Sequence, residues 1–208
     1  MTSDTIALVD GLPPGWGGLA FDLCSGPGHA AFEAAALCPG RAWILVDTNR
    51  ELLRAAARKA AGLTAGSSFM FACCDAESVP FAFSAGCAGL VLCNPPYEPP
   101  GAGRAPAGRA RRESRIAPDS FGTARFVAAA GHLLERGGGL RILARPSGLV
   151  ALLRALDAFG LGSFVVRPWG APGAPAVLVR VDCVKGGRGG LVLAPQEPRP
   201  AFAGPPAS

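Results

Sequence analysis

The sequence lacks the features that mark a membrane, secreted or zinc-binding protein. Apolar runs reach only about eight residues before glycine, proline or arginine interrupts them, which is too short for a transmembrane helix. The N-terminus has no basic start followed by an apolar stretch, so we expect no secretory signal. The seven cysteines include no C-x-x-C pair, which leaves a zinc or thioredoxin-like site without support. We therefore expect a reduced, cytoplasmic protein with no membrane or metal partner.

Charged residues, and lysine above all, are also scarce. Charged side chains make up 17% of the 208 residues and hydrophobic ones 50%, a composition that builds a core and excludes general disorder. Lys59 and Lys185 are the only lysines among 20 basic residues, and the net charge is +5. An arginine excess suits phosphate binding, but GC-rich coding explains it equally well. The charge is therefore only weak support for a nucleic-acid partner.

From Leu19 onward, short apolar segments alternate with longer helical patterns. This alternation predicts parallel strands, because parallel neighbours need helical crossovers and short apolar strands suit burial on both faces. Residues 163–167 and 177–183 differ, since only a turn separates them, and they predict an antiparallel pair. We therefore predict an α/β fold: a Rossmann-like, seven-stranded, mostly parallel sheet with an antiparallel C-terminal hairpin and helices on both faces.

The chain divides into three predicted parts. Residues 1–18 form a short, weakly patterned N-terminal extension, and residues 19–195 form the α/β domain. Residues 196–208 form a proline-rich tail that is predicted to be disordered. Ligands of such sheets bind at the carboxyl ends of the strands, so the residues that directly follow each strand are the candidates for chemistry.

A glycine-containing turn follows the first predicted strand. Asp22 and Cys24 lead into Gly26 and Gly28, and a helix begins directly afterwards. Glycines let the backbone approach a ligand closely, and a helix N-terminus favours a carboxylate or phosphate. Such turns are common, so this signal is weak when taken alone.

Carboxylates follow the second and third predicted strands. Asp47 can accept hydrogen bonds from both hydroxyls of a ribose, although a strand-end aspartate that caps the next helix is the structural alternative. Asp75, followed by Ala76, can accept from an adenine amino group, although it can equally form a turn. The order of these residues suits a nucleoside ligand.

The fourth predicted strand ends in Asn94-Pro95-Pro96-Tyr97, the strongest signal in the chain. Two prolines stiffen the backbone and remove N–H donors, so carbonyl acceptors remain. The Asn94 side chain and the Pro95 carbonyl can each accept one N–H of a planar amine, and Tyr97, the only tyrosine, can stack on the ring that carries it. A rigid turn with a buried tyrosine is the alternative.

This motif order resembles that of class I S-adenosylmethionine-dependent methyltransferases with an Asn-Pro-Pro-Tyr site, which methylate planar amino groups. The downstream blocks are similar to those of the bacterial family that methylates adenine N6 in a valine tRNA anticodon loop. These blocks are Arg104, Ala110-Arg111-Arg112-Glu113, Leu143-Ala144-Arg145-Pro146, Pro175-Ala176-Val177-Leu178-Val179 and Lys185-Gly186-Gly187-Arg188. The resemblance covers residues 19–195 and implies that they form a methyltransferase domain.

The resemblance implies S-adenosylmethionine as the cofactor and RNA, specifically tRNA, as the substrate. The implied catalytic residues are Asn94, Pro95 and Tyr97. The implied cofactor-binding residues are Asp22, Cys24, Gly26, Gly28, Asp47, Asp75, Ala76 and Asn94.

A cationic segment follows the Asn-Pro-Pro-Tyr motif, where a substrate has to enter. The segment contains five arginines and only one acidic residue, Glu113. The arginines are Arg104, Arg109, Arg111, Arg112 and Arg115. We predict that Pro96 and the first four of these arginines contact the substrate RNA, the arginines through its phosphates. A solvated loop without a ligand is the alternative.

The chain also departs from the family pattern. Cys24 stands where the family usually has glycine, Asp47 stands where it usually has glutamate, and the segment before the first strand is shorter than expected. Three alternatives therefore stay open: a protein glutamine N5-methyltransferase, a DNA adenine methyltransferase, and a degenerate module that binds RNA or a partner without turnover. The first usually carries a helical substrate domain and the second a target-recognition region.

Overall fold

The computed structural model describes residues 3–12, 18–63, 66–96 and 121–198. Within these ranges the helices are α1 (Ser3–Val9), α2 (His29–Leu37), α3 (Arg50–Ala60), α4 (Val79–Ala82), α5 (Phe121–Leu133) and α6 (Leu149–Ala158), with a 3₁₀ turn at Pro146–Gly148. The strands are β1 (Leu19–Leu23), β2 (Ala42–Asp47), β3 (Ser68–Cys73), β4 (Ala88–Cys93), β5 (Leu134–Ala144), β6 (Leu161–Gly170), β7 (Leu178–Lys185), β8 (Leu191–Leu193) and β9 (Glu197–Pro198).

All described strands belong to one sheet. Its order is β3-β2-β1-β4-β5-β7-β6-β8, and β9 also pairs with β6. The pairs among β1 to β5 are parallel, whereas β7 is antiparallel to both β5 and β6. The predicted α/β class, the mostly parallel sheet and the C-terminal antiparallel hairpin are thereby confirmed. The strand order reverses between β1 and β4, which opens a crevice at their carboxyl ends.

The described part of the sheet has nine strands rather than the seven that we predicted. The additional strands are β8 and β9, which pair in parallel with residues 164–166 and 169–170 of β6. They contain only three and two residues, too few for an apolar pattern to stand out in the sequence. Gln196 and β9 fall in the predicted disordered tail, but the Gln196 amide donates to Ala171 O and Ala174 O at 3.1 and 3.0 Å. The remaining tail, 199–208, lies outside the described residues.

Helices cover both faces of the sheet, as predicted. Alternate side chains of β1 and β2 divide between the faces: Phe21 and Ile44 pack against α5 and α6, whereas Trp43 and Leu45 pack against α1, α2 and α3. Strand β4 is buried along its whole length. The parallel centre of the sheet is therefore apolar on both sides, and its polar side chains are confined to the strand ends.

Helix α1 is an element that the sequence analysis did not predict. Two buried arginines hold its C-terminal end: Arg141 on β5 donates to Asp10 O at 2.7 Å and Gly11 O at 2.6 Å, and Arg180 on β7 donates to Ala7 O at 2.7 Å. Asp182 partly neutralises the pair, with its Oδ1 3.0 Å from Arg180 Nε and 3.4 Å from Arg141 Nε. Burial lowers the pKa of Arg141 to about 10, and Asp182 opposes that shift. A seven-residue helix is marginal on its own, so these tertiary contacts stabilise it.

We predict that Arg141→Met lowers the free energy of unfolding by about 2–4 kcal/mol, because the variant removes the donor to Gly11 O at the end of α1 and one of the two arginines beside Asp182. Arg154→Met, at an exposed position on α6, is the matched control and is expected to change stability by less than about 0.5 kcal/mol. Urea denaturation measures both. Equal midpoints for the two variants would contradict the anchoring role.

Candidate functional site

A cleft of about 360 Å³ lies at the carboxyl ends of β1, β2, β3 and β4. Five chain segments contribute to its walls: the turns that follow these four strands, and the first half of α5. The lining residues are Leu23, Cys24, Val46, Asp47, Thr48, Cys74, Asp75, Ala76, Asn94, Pro96, Arg125 and Phe126. Its volume lies within the range of roughly 300–1,000 Å³ that is usual for small-molecule sites.

The turn between β1 and α2 forms one wall of the cleft. Its backbone enters the left-handed region at Cys24 (φ 59°), Gly26 (φ 51°) and Gly28 (φ 80°). A Cβ at Gly28 would lie 2.6 Å from Leu45 Cδ2, so this glycine is also required for packing. Cys24 adopts a conformation that costs a side-chain-bearing residue roughly 1–2 kcal/mol, which explains why glycine is the usual residue in such a turn.

Asp22 lies beneath this turn and does not line the cleft. It is 2% exposed, and its Oδ2 accepts from Ala31 N at 3.1 Å. Burial raises the pKa of its carboxyl to about 7, although the hydrogen bond from Ala31 opposes the shift. Asp22 therefore supports the first turn of α2, and any influence on a ligand passes through the turn above it.

Asp47 connects the turns that follow β1 and β2. Its Oδ2 accepts from Gly26 N and its Oδ1 from Asn49 N, both at 2.8 Å. Asn49, rather than Asp47, caps α3 by accepting from the backbone N–H groups of Glu51 and Leu52. Each Asp47 oxygen keeps capacity for a further hydrogen bond, because a carboxylate offers about two acceptor sites per oxygen.

Asp75 and Ala76 form the wall that follows β3. Asp75 Oδ1 accepts from Ser78 N at 2.7 Å, and the hydrogen bonds from Ser78 lower the pKa of this exposed carboxyl. Asp75 therefore stays ionised and starts the turn into α4. Ala76 is buried and belongs to the apolar core beneath the cleft.

The corner after β4 completes the part of the site that the structure describes. Asn94 is half-buried and Pro96 is exposed, and both line the cleft, whereas Pro95 is buried between them. Tyr97 lies outside the described residues. The predicted RNA-binding arginines Arg104, Arg109, Arg111 and Arg112 lie outside them as well.

The cleft also contains residues that the sequence analysis missed. Arg125 and Phe126 on α5 line it, and the Arg125 guanidinium carbon lies 4.8 Å from the centre of the Phe126 ring. The charge of Arg125 also helps to lower the pKa of Asp75. They belong to a helix and no motif marks them, so only the tertiary fold brings them to the strand ends. The position of Cys74 in the cleft could have been predicted from the sequence, because Cys74 directly precedes the candidate residue Asp75.

The charged and apolar groups that line the cleft suit a polar, cationic ligand with a nucleoside part. Among the described residues that line it, Asp47 and Asp75 supply two carboxylates and Arg125 one cation, and Leu23, Val46 and Phe126 supply apolar surface. Hydrogen-bonding capacity also remains in the turn above β1. Ser25 Oγ is buried there and has no partner within the described ranges of the chain.

We predict that the Asp22 carboxyl makes stability depend on pH. The unfolded chain loses this proton near a pKa of about 4, whereas the folded protein keeps it until a pKa of about 7. Between these values the folded state binds more protons, so stability falls as pH rises, by at most ~1.4 kcal/mol per pH unit from this group. Asp22→Asn keeps an acceptor for Ala31 N and removes the titration.

The stability difference between Asp22→Asn and the wild type is therefore expected to shift in favour of the variant from pH 4 to pH 8. Urea denaturation across this range measures it. A difference that stays constant with pH would contradict the raised pKa.

The chain matches no protein-family model and no curated protein. Solved structures do match. A predicted O-methyltransferase from Agrobacterium tumefaciens matches with a TM-score of 0.71 and 20% identity, and the match covers 99% of this chain and 92% of that chain. TrmN from Thermus thermophilus matches with a TM-score of 0.61 and 25% identity over 88% of this chain, which spans about half (47%) of the TrmN chain.

A third match is geranyl diphosphate C-methyltransferase from Streptomyces coelicolor A3(2), crystallised with Mg²⁺, geranyl diphosphate and S-adenosyl-L-homocysteine. Its TM-score is 0.58 at 12% identity, with coverage of 88% of this chain and 75% of that chain. The names of these neighbours differ in the methyl acceptor, since one is a predicted O-methyltransferase and another a C-methyltransferase. What they share with this chain is the Rossmann-like fold of S-adenosylmethionine-dependent methyltransferases.

Proposed function

We propose that the protein is an S-adenosylmethionine-dependent methyltransferase that acts on adenine N6 in tRNA. The observation that carries this proposal is the shared cleft, in which the Asn94-Pro95-Pro96 corner meets the turn of Cys24 and the carboxylates of Asp47 and Asp75. A methyl acceptor at the corner and a nucleoside cofactor along the turns would then occupy neighbouring parts of one site. The fold shared with known methyltransferases supports this assignment.

Different residues of the cleft would bind different parts of the cofactor. Asp47 has acceptor capacity for ribose hydroxyls, and Asp75 with Ala76 suits the adenine end. Gly26 keeps the turn open, while Asp22 holds the turn from below through α2. When bound, S-adenosylmethionine supplies an electrophilic methyl group on a sulfonium, and a cleft with a carboxylate excess suits that positive charge.

The corner after β4 determines the type of acceptor. The nitrogen of an exocyclic amine is a poor nucleophile because its lone pair is delocalised into the ring. Two acceptors, Asn94 Oδ1 and the Pro95 carbonyl, favour a pyramidal nitrogen whose lone pair is free to react. These hydrogen bonds strengthen as positive charge develops on nitrogen, so they stabilise the transition state more than the ground state. The methylated amine is acidic enough to lose its proton to water, so no strong base is required.

Three observations favour adenine in tRNA as the acceptor. The motif resemblance points to that substrate, and TrmN, a structural neighbour, is a tRNA methyltransferase. The arginine-rich segment that follows Tyr97 suits an RNA backbone, because phosphate contacts supply most of the affinity of such interfaces. The base must be unpaired or turned out of its stack to reach the corner, and a tRNA loop offers such a base.

One observation favours a second candidate, a non-catalytic binding module. Cys24 adopts φ 59° where glycine would be unstrained, as in a turn that has lost its selected function. Calorimetry with S-adenosylmethionine separates the two candidates. The methyltransferase proposal requires saturable binding, and a complete absence of binding by the folded protein would favour the module.

Nucleoside mass spectrometry of tRNA tests the proposed substrate. We expect N6-methyladenosine to fall in tRNA from cells that lack the protein and to return with the wild-type gene but not with an Asn94→Ala variant. Unchanged tRNA, accompanied by the loss of a methylated glutamine in peptide mass spectra, would instead identify a protein substrate.

We predict that Asn94→Ala lowers kcat by at least ~100-fold, because it removes one of the two acceptors that orient the amine. Cofactor affinity, measured by calorimetry, should stay within a few-fold of the wild type. The unfolding midpoint is the control for folding. Joint loss of cofactor binding and stability would place Asn94 in the fold rather than in the reaction.

We predict that replacing Arg111 and Arg112 with glutamine weakens RNA binding and flattens its salt dependence by roughly two units of log K against log salt. The matched control replaces Arg58 and Arg154, two exposed helical arginines that do not line the cleft. The control carries the same charge change and should keep the wild-type slope. The same slope in all three proteins would reject a phosphate-binding role for this segment.

A further inference from the structure

Two cysteines meet at the floor of the cleft. Cys24 is the first residue after β1, is half-buried and lines the cleft, whereas Cys93 is the last residue of β4 and is fully buried. The parallel register pairs Leu23 with Cys93, so Cys24 directly follows the residue opposite Cys93. Cys24 also packs against the apolar cluster that contains Cys93.

The register gives this pair a backbone spacing that suits a disulfide. Cys24 lies one residue beyond Leu23, the residue opposite Cys93, so strands about 4.8 Å apart imply a diagonal Cα separation of roughly 6 Å. The Cα atoms of disulfide-bonded cysteines usually lie about 4.4–6.8 Å apart. Cys73 and Cys74 are also neighbours, but they are consecutive in sequence, and the Cys73 thiol donates to Thr48 O. Only one thiol of that pair, Cys74, lines the cleft.

We propose that Cys24 and Cys93 are a peroxide-sensitive dithiol whose oxidation to a disulfide closes the cleft to its ligand. Disulfide formation depends only on the geometry of the two thiols. The effect on cofactor binding rests on the proposed function.

The chemistry begins at Cys24, because it is the thiol that the cleft exposes. Burial raises the pKa of Cys93, which disfavours its thiolate and makes direct oxidation there slow. The Cys24 thiolate attacks hydrogen peroxide: an S–O bond forms, the O–O bond breaks and hydroxide leaves, which gives a sulfenic acid.

Cys93 then resolves this intermediate. Its sulfur attacks the sulfur of Cys24, so that the S–S bond forms, the S–O bond breaks and a second hydroxide leaves. The two thiol protons neutralise the two hydroxides. In sum, two thiols and one peroxide give one disulfide and two waters.

The position of the bond explains why it would affect the ligand. It would tie the first residue of the turn to the residue directly before Asn94, and so fix two walls of the cleft to each other at their base. The turn cannot relax around the new bond, because Gly26 N is held by Asp47 and Gly28 is packed against Leu45 and Phe32. We therefore expect the oxidised protein to bind S-adenosylhomocysteine at least ~10-fold more weakly than the reduced protein.

Peptide mass spectrometry of the full chain under non-reducing conditions tests the dithiol. The protein is treated with hydrogen peroxide in the presence and absence of S-adenosylhomocysteine, then alkylated and digested. The variants are Cys24→Gly, which also relieves the backbone strain, and Cys93→Ser. Cys87→Ser is the matched control, because it removes a half-buried thiol that does not line the cleft.

We expect a cross-linked peptide that joins Cys24 to Cys93, absent in the first two variants, retained in Cys87→Ser and reversed by dithiothreitol. Ligand at ten times its dissociation constant should slow the cross-link by roughly 10-fold, since about a tenth of the protein stays free. A cross-link that forms without such protection would uphold the dithiol while contradicting the cofactor site. Cross-linking only through Cys73 or Cys74, or none at all in a protein that binds the ligand, would overturn the dithiol and leave the proposed function intact.

Discussion

The pairing of β1 with β4 is the interaction on which the candidate site depends. These strands are neighbours in space although β2 and β3 separate them in sequence, and their register places Leu23 opposite Cys93. The turn after β1 and the corner after β4 therefore begin at the same level of the sheet. Because the strands are parallel and buried, polar groups collect at one edge, and this pairing decides which of them share a cleft.

Around that pairing, hydrogen bonds to backbone groups fix the shape of the cleft more than contacts between side chains do. Asp47 binds Gly26 N, Asp22 binds Ala31 N and Asp75 binds Ser78 N. Asp22 within β1, Asp47 at the end of β2 and Asp75 after β3 thus each bind a backbone N–H group in a turn or helix that follows one of these strands. A site built this way is preorganised before any ligand arrives, which lowers the ordering cost of binding.

Much of the fold was predictable because short apolar strands and their helical crossovers leave a clear pattern. The helix cap at Asn49 and the β6–β7 hairpin also follow from local rules. Helix α1 and the strands β8 and β9 do not follow from local rules, because they are short and depend on distant partners such as Arg180 and β6. Tertiary contacts, which no local pattern records, stabilise these elements.

The candidate site, like the fold, was predictable from the sequence only in part. The sequence analysis named Cys24, Asp47, Asp75, Ala76, Asn94 and Pro96, and the structure brings them to one cleft. Asp22 faces the helix beneath instead, because alternate residues of β1 point to opposite faces of the sheet. Arg125 and Phe126 were missed because their place at the strand ends results from how α5 packs, which no motif near them reveals.

The anchoring of α1 has a consequence for how the chain assembles during synthesis. The carbonyls of Ala7 and Gly11 are bound by arginines at positions 180 and 141, contacts that span 173 and 130 residues of sequence. Helix α1 is therefore synthesised long before β5 and β7, and the carbonyls at its end gain their donors only once those strands have been made. Until then α1 lacks its contacts with β5 and β7, so the side chains of Ala7, Leu8 and Val9, which are buried in the folded protein, lack part of their cover in the nascent chain.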